Sequence, residues 1–317
     1  MIGYTLRRVP SALLVLLVAS WVVFAILRLA PGDPAVVLAG PDPSPATIEA
    51  VRHQLGLDQS VWHQYATWLG GLLSGDLGTS YILGAPIGTL IGHGLGNTAQ
   101  LAGAALLLAV LIGGAAGMAL GTTRRKVTAQ ALGGLVSLMF AVPPYVSGVL
   151  LVLVFAVTAR VLPASGQVSV FDDPVLGVQY LIMPALCLAL PAAAVIARFL
   201  AASMRRVLDE DFVATGIAKG ISRRRLLWRH VLPNALPPVV TILGIQIGQL
   251  LGGAIVVEAI FAWPGVGQLL LGGVLGRDYL LVQDLLMLAV TVFVVLQTLT
   301  GIAHTALDPR MRDQEGR

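Results

Sequence analysis

Polar side chains set inside apolar runs are the first residues of this chain with chemical capacity. Gln246, Gln249 and Glu258 lie in one such run, and Asp284 and Gln297 in another. Groups of this kind are costly in hydrocarbon unless they face protein or a watery cavity. They could line a translocation path, relay protons or ions, or join one helix to another, and the residue types leave these readings open. Glu258 and Asp284 fall toward the outer ends of their runs, which supports ion coupling at mid-membrane only weakly. Ser147 and His304 are the best candidates for a serine–histidine pair. Ser147 follows Tyr145-Val146 rather than a glycine elbow, and His304 belongs near the opposite face with nothing to orient it. No catalytic residue is therefore assigned. The two lysines occur as Arg125-Lys126-Val127 and Ala218-Lys219-Gly220, so no Gly-Lys-Ser/Thr phosphate loop exists, and any ATP hydrolysis must come from another polypeptide. The single cysteine, Cys187, allows no internal disulfide and no CxxC metal spacing, and neither a metal site nor a bound cofactor is expected.

The elements that must carry these residues are membrane helices. The 317 residues are 56% hydrophobic and 11% charged, against about 25% charged in a soluble domain. A net charge of +4 is too small to argue for nucleic acid. Six runs can cross roughly 30 Å of hydrocarbon: Val9–Ala30, Thr98–Leu120, Ala131–Val157, Tyr180–Leu200, Pro237–Phe261 and Leu280–Ala303. The first follows Arg7 and Arg8 as a signal peptide would, but its apolar stretch is longer and no small-x-small site follows, so a retained helix is expected. Gly113, Gly117 and Gly121, and likewise Gly244, Gly248 and Gly252, recur at four-residue spacing, which lets a second backbone approach closely. Pro143-Pro144 and Pro191 are expected to interrupt their helices.

The basic residues set an orientation. With the N-terminus inside, the inner segments collect Arg7, Arg8, Arg124–Lys126, Arg205, Arg206, Lys219, Arg223–Arg225, Arg229, Arg310, Arg312 and Arg317. The outer segments hold only Arg28, Arg52, Arg160 and Arg277, while Arg198 sits near the inner end of the fourth run. This excess of inner positive charge places both termini in the cytoplasm of a multi-pass plasma-membrane protein. The chain divides into an N-terminus with the first span (1–30), an extracytoplasmic segment (31–97), a core of five spans (98–303) and a cytoplasmic tail (304–317).

Two connections exceed simple turns. The outer one contains a helical stretch, Ser44–Leu55, and Trp62, Tyr65 and Trp68 at helical spacing, which fits either a helix at the membrane interface or a small subdomain packed on its own helices. The inner one (201–236) carries the densest charge. Asp209–Asp211 open a helical stretch at its positive dipole end, Gly220 breaks it, and Ser222 can cap a second stretch ending at Pro233. The small residues Ala214, Gly216, Ala218 and Gly220 point to a close-packed protein contact beyond the loop's part in setting topology.

This inner loop resembles the EAA loop of ABC importer permeases, whose pattern is Glu-Ala-Ala, three residues, Gly, nine residues, Ile, one residue, Leu-Pro. Gly220 takes the glycine and Leu232-Pro233 the final pair, while Ala214, Thr215 and Gly216 stand at the Glu-Ala-Ala positions and His230 at the Ile position. The leading acid is missing. Leu29-Ala-Pro-Gly-Asp-Pro34, Gln64-Tyr-Ala-Thr-Trp-Leu69, Gly75-Asp-Leu-Gly-Thr-Ser80, Pro143–Phe155, Leu162-Pro-Ala-Ser-Gly166, Val257–Gly267 and Leu307-Asp-Pro-Arg310 are similar to the dipeptide/oligopeptide/nickel permease group, and most like the first of its two paired permeases. The resemblance implies an all-α polytopic type I importer permease fold with about six transmembrane helices. It also implies a second homologous permease, two ATP-binding subunits, a substrate-binding protein outside the membrane, and peptides as substrate. Nickel chelates or other small peptide-like solutes are the alternative, and an ion-coupled secondary transporter is a distant one. By the same resemblance Asp211, Ala214, Thr215, Gly216, Gly220, Arg224, His230, Leu232 and Pro233 form the ATPase-coupling loop. Gln246, Gln249, Glu258 and Asp284 are candidates for the translocation path.

Overall fold

A computed structural model describes residues 2–29 and 33–307, with the side chains of 2–9, 296 and 299–307 left out. Residues 30–32 of the Leu29–Pro34 motif, the tail residues Asp308–Arg310, Arg312 and Arg317, and the side chains of Arg7, Arg8 and His304 lie outside the described set. The described chain is helical and divides into two compact units, 1–96 with 265–317, and 97–264.

In the first unit α1 (Ile2–Leu29) packs along α13 (Tyr279–Leu307), and α12 (Val266–Gly276) joins α13. Three short helices follow α1: α2 (Pro34–Leu38), α3 (Pro45–Gln54) and α4 (Val61–Ser74). Each begins at a side-chain cap. Asp33 accepts from Ala35 N at 2.9 Å, Ser44 from Thr47 N at 3.1 Å and Ser60 from His63 N at 3.3 Å, satisfying amides that a helix start leaves open. Asp33 also forms an ion pair with Arg52 of α3, which ties the first two short helices together. The aromatic stripe of α4 packs on α1. Trp62 stacks on Trp21 at 4.8 Å, Tyr65 meets Trp21 edge-on at 5.1 Å, and the Tyr65 and Ser20 hydroxyls are 2.8 Å apart.

In the second unit the long α8 (Pro174–Leu208) is the central post. Around it stand α5 (Ile87–Thr122, which starts in the first unit), α6 (Lys126–Ala141), α7 (Pro144–Leu151, continued by a wide π turn Val152–Thr158) and α11 (Leu232–Phe261). Gly113, Gly117 and Gly121 of α5 lie against α8. A Cβ on Gly113 would sit 2.6 Å from Ala193 O, and one on Gly117 2.9 Å from Ala197 O. This row is therefore a helix-packing seam. The second glycine row behaves differently, since a Cβ on Gly248 or Gly252 would meet nothing within 4 Å.

Among the described residues, four helices, Pro10–Leu29, Ile87–Thr122, Pro174–Leu208 and Arg223–Phe261, are long and apolar enough to cross a membrane. The pair Lys126–Ala141 and Pro144–Thr158 would make a fifth, bent by 100° at Pro143. The run expected as a sixth span falls on α13, a helix of 29 residues. The Pro143-Pro144 break is real, because neither proline can donate and the residue before a proline avoids helical geometry. Pro191 does not interrupt anything: it lies inside the continuous α8, as does Pro184.

Candidate coupling surface and buried polar residues

The inner loop is shorter than its sequence indicates. The fourth span runs on to Leu208, and α9 (Asp211–Ala218) begins after a two-residue break. Gly220, at φ 76°, ends α9 in a Schellman turn: Ile221 N donates to Gly216 O at 3.1 Å and Gly220 N to Ile217 O at 2.9 Å. Only glycine takes that backbone geometry without steric cost. Ser222 stands at the N-cap of α10 (Arg223–Leu226) but makes no side-chain capping bond.

The second helical stretch does not end at Pro233. It passes through a π turn, Leu227–Val231, straight into α11, giving one helix from Arg223 to Phe261. The physical reason is local. Pro233 has no N–H for the carbonyl four residues back, and the wide turn just before it accommodates the missing bond. Asn234 then donates its side-chain amide to His230 O at 2.6 Å. The expected coupling segment is thus continuous with the long apolar helix that follows it, with no break at Pro233.

The loop residues divide by burial. Gly216 and Val213 are buried, and a Cβ on Gly216 would stand 3.0 Å from the buried Leu226. Asp211, Ala214, Thr215, Gly220, Arg224 and Pro233 are exposed, with His230 and Leu232 half-buried. A Cβ on Gly220 would meet nothing within 4 Å, so this glycine serves conformation and not packing. Phe212, Ile217 and Trp228 are large apolar side chains exposed at 43%, 60% and 57%. Beside them a cleft of about 650 Å³ is lined by the end of α5, the end of α8, α9 and α10. Two arginines close its back wall. Arg205 donates to Leu120 O at 3.0 Å and Arg223 to Thr122 O at 3.1 Å, covering open carbonyls at the C-terminus of α5.

Three of the four expected path residues are buried inside the chain. Gln246 is buried on α11 while Gln249, three residues on, is exposed. Glu258 is fully buried and accepts from Thr98 Oγ1 at 2.6 Å. In the other unit, Asp284 is buried and accepts from Trp68 Nε1 at 2.8 Å. Gln297 is exposed. Ser147 donates to Pro144 O at 2.9 Å, as does the Cys187 thiol at 2.7 Å, so both serve the backbone at the proline break.

Sequence reasoning missed several residues that organise these sites. Asn97 receives Trp263 Nε1 on its carbonyl at 2.9 Å and donates its side chain to Pro264 O at 2.9 Å. This clasp holds the turn after α11, where Ala262 is left-handed at φ 47°. Asp278 is fully buried and receives Ser80 Oγ at 2.6 Å, Ile82 N at 3.2 Å and Leu281 N at 3.2 Å, binding the Gly75–Ser80 motif to the start of α13. Both lie just outside apolar runs, and apart from Leu281 their partners are 160 residues or more away, so no local spacing signals them.

Comparison with known proteins follows this geometry. Residues 109–313 match the family described as binding-protein-dependent transport system inner membrane component, and residues 1–87 match the N-terminal family of such membrane components. A probable peptide ABC transporter permease protein of Sinorhizobium fredii is 34% identical over 309 residues, covering 98% of this chain and 99% of its own. A glutathione transport system permease protein of Escherichia coli is 36% identical over 312 residues, with the same coverage. Among solved structures, the MetNI methionine ABC transporter in inward-facing form matches with TM-score 0.56 at 19% identity, covering 70% of this chain and 98% of that one. An amino acid ABC transporter crystallised with histidines matches with TM-score 0.50 at 14% identity, over 68% and 92%.

Proposed function

The chain belongs to the binding-protein-dependent transport system inner membrane components, the permease subunits of ABC importers, and from that membership we propose that it imports peptides. It is a multi-pass membrane protein and a transport subunit. In this reading it pairs with a second homologous permease, two ATP-binding subunits and an extracytoplasmic binding protein. Both termini lie in the cytoplasm. The partner subunits bind ATP and Mg²⁺, and this chain holds no cofactor.

The observation that carries the coupling role is the rigid continuity from Arg223 to Phe261. A push on α9 and α10 is delivered into a membrane-spanning helix with no joint at Pro233. The exposed Phe212, Ile217 and Trp228 then form the docking face, around Asp211, Ala214, Thr215 and Arg224. With no acid at Ala214, docking relies on apolar packing, which costs little desolvation compared with an ion pair. Of Gln246, Gln249, Glu258 and Asp284, Gln249 is exposed and free to face a path. Movement of ATPase subunits against this face drives alternating access.

Peptides are favoured as substrate because the peptide and glutathione permeases among the relatives align over nearly the whole chain. The test is uptake by the reconstituted complex. Radiolabelled dipeptides should accumulate with ATP and binding protein present, while this chain alone should neither hydrolyse ATP nor accumulate solute. Uptake of nickel chelates without peptide uptake would replace the peptide reading, and activity of the chain alone would overturn the subunit reading.

A further inference from the structure

The first unit carries a half-open cavity of about 290 Å³ that the transport reading does not use. Its walls include Phe24 and Arg28 of α1, Gln64 and Trp68 of α4, Tyr81, and Tyr279 of α13. Arg28 is half-buried there, and a guanidinium remains charged at any ordinary pH. Burying such a cation without an anion is strongly unfavourable. Yet among the described residues Arg28 forms no ion pair, and its buried Nε has no hydrogen-bond partner. The carboxylates near Tyr81 bond other groups: Asp278 holds Ser80, Ile82 N and Leu281 N, and Asp284 holds Trp68 through one of its two oxygens. The Phe24 ring lies 4.7 Å from the guanidinium carbon, and a ring face leaves the in-plane N–H donors free.

A second group points the same way. Gln64 uses its side-chain N–H donors on Leu57 O at 3.3 Å and Gln59 O at 2.8 Å, while its Oε1 is buried with no partner. The cavity therefore presents a cation lacking an anion and an acceptor lacking a donor, set among aromatic rings. Burial, with Asp278 nearby, pushes the Tyr81 phenol up, so it stays a neutral donor.

We propose that this cavity binds an oxyanion, phosphate or carboxylate, with Arg28 holding the charge and Gln64 Oε1 accepting from a hydroxyl or N–H next to it. The volume suits a headgroup or the end of a small molecule, since sites for whole drug-sized ligands run from about 300 to 1,000 Å³. Two sources offer this chemistry: a membrane phosphodiester with its glycerol hydroxyls, and the free carboxyl end of a short peptide with its amide N–H. This proposal is independent of which solute the transporter imports.

The test uses the assembled transporter with Arg28→Gln, Arg28→Lys and Thr67→Trp, the last filling the cavity from a lining position. Native mass spectrometry after exposure to phosphatidylglycerol micelles reads lipid retention, and calorimetry with alanyl-alanine reads carboxylate binding. Arg160→Gln, an exposed arginine outside the cavity, serves as control. Arg28→Gln and Thr67→Trp should weaken binding in one of the two arms by about tenfold or more, Arg28→Lys less, and Arg160→Gln not at all. A loss confined to the lipid arm assigns the site to a headgroup, and one confined to the peptide arm to a carboxylate solute. Equal binding by wild type, Arg28→Gln and Thr67→Trp in both arms, or no binding by wild type in either, overturns the proposal. Should Arg28→Gln fail to assemble, the Thr67→Trp comparison decides alone.

Discussion

Trp68 on α4 donates its indole N–H to a carboxylate oxygen of Asp284 on α13 over 2.8 Å, with both side chains buried. The bond fastens the short outer helix to a long one 216 positions away. The second carboxylate oxygen of Asp284 is buried without a hydrogen-bond partner, so the indole carries the satisfaction of this group.

Trp68→Phe keeps an aromatic ring and deletes the donor. The orphaned carboxylate should cost about 1–3 kcal/mol, read as a lower thermal midpoint of the purified complex. Adding Asp284→Leu should restore most of the loss, because replacing both partners with apolar groups leaves nothing unsatisfied. An unchanged midpoint in Trp68→Phe would show that the bond contributes nothing.

The two glycine rows should respond in opposite ways. Gly113→Val and Gly117→Val drive a side chain into the α8 backbone and should reduce the assembled transporter in membranes several-fold, beyond the ~1–3 kcal/mol of ordinary overpacking. Gly248→Ala and Gly252→Ala meet open space within this chain and should leave expression and thermal stability unchanged. Equal tolerance in both rows, measured by quantitative immunoblot and melting, would refute the packing assignment.

Within the proposed coupling segment, conformation and bulk act at different glycines. Gly220→Ala should already impair transport, since a left-handed non-glycine residue costs about 1–2 kcal/mol, and Gly220→Asn should be milder. Gly216→Leu should be worse than either, because the buried Leu226 stands 3.0 Å from its Cβ position. Arg224→Ala, an exposed charge, should change ATPase co-purification little. If Gly216→Leu couples ATP hydrolysis to uptake normally, this segment is not the transmission element.

Orientation has a direct assay. In a Cys187→Ala background, cysteines at His53 and at Ser222 should label from opposite sides of intact cells. Both positions are exposed, and Ser222 makes no side-chain capping bond that substitution would remove. Labelling of both from one side would end the six-span arrangement with cytoplasmic termini.

Much of this protein can be read from its residues in order. Apolar runs spaced by charged segments identify the membrane helices, because the hydrocarbon requirement is local and additive along the chain. The proline pair at 143–144, the helical stretch beginning at Ser44 and the helix stop at Gly220 are equally local, since each acts on backbone within about one helical turn. Local reading erred where a tertiary or backbone compensation was available. Pro191 sits inside an unbroken α8, and Pro233 is absorbed by a wide turn, so the loop's second helix runs on into the membrane. Only the tertiary structure decided which polar residues are buried. Glu258 and Gln249 look alike as polar interruptions of one apolar run, but one is enclosed with Thr98 and the other is exposed. Helical position gives each side chain a direction, yet the neighbour in that direction comes from a distant segment. Burial and hydrogen-bond satisfaction are properties of that pairing and not of the run itself.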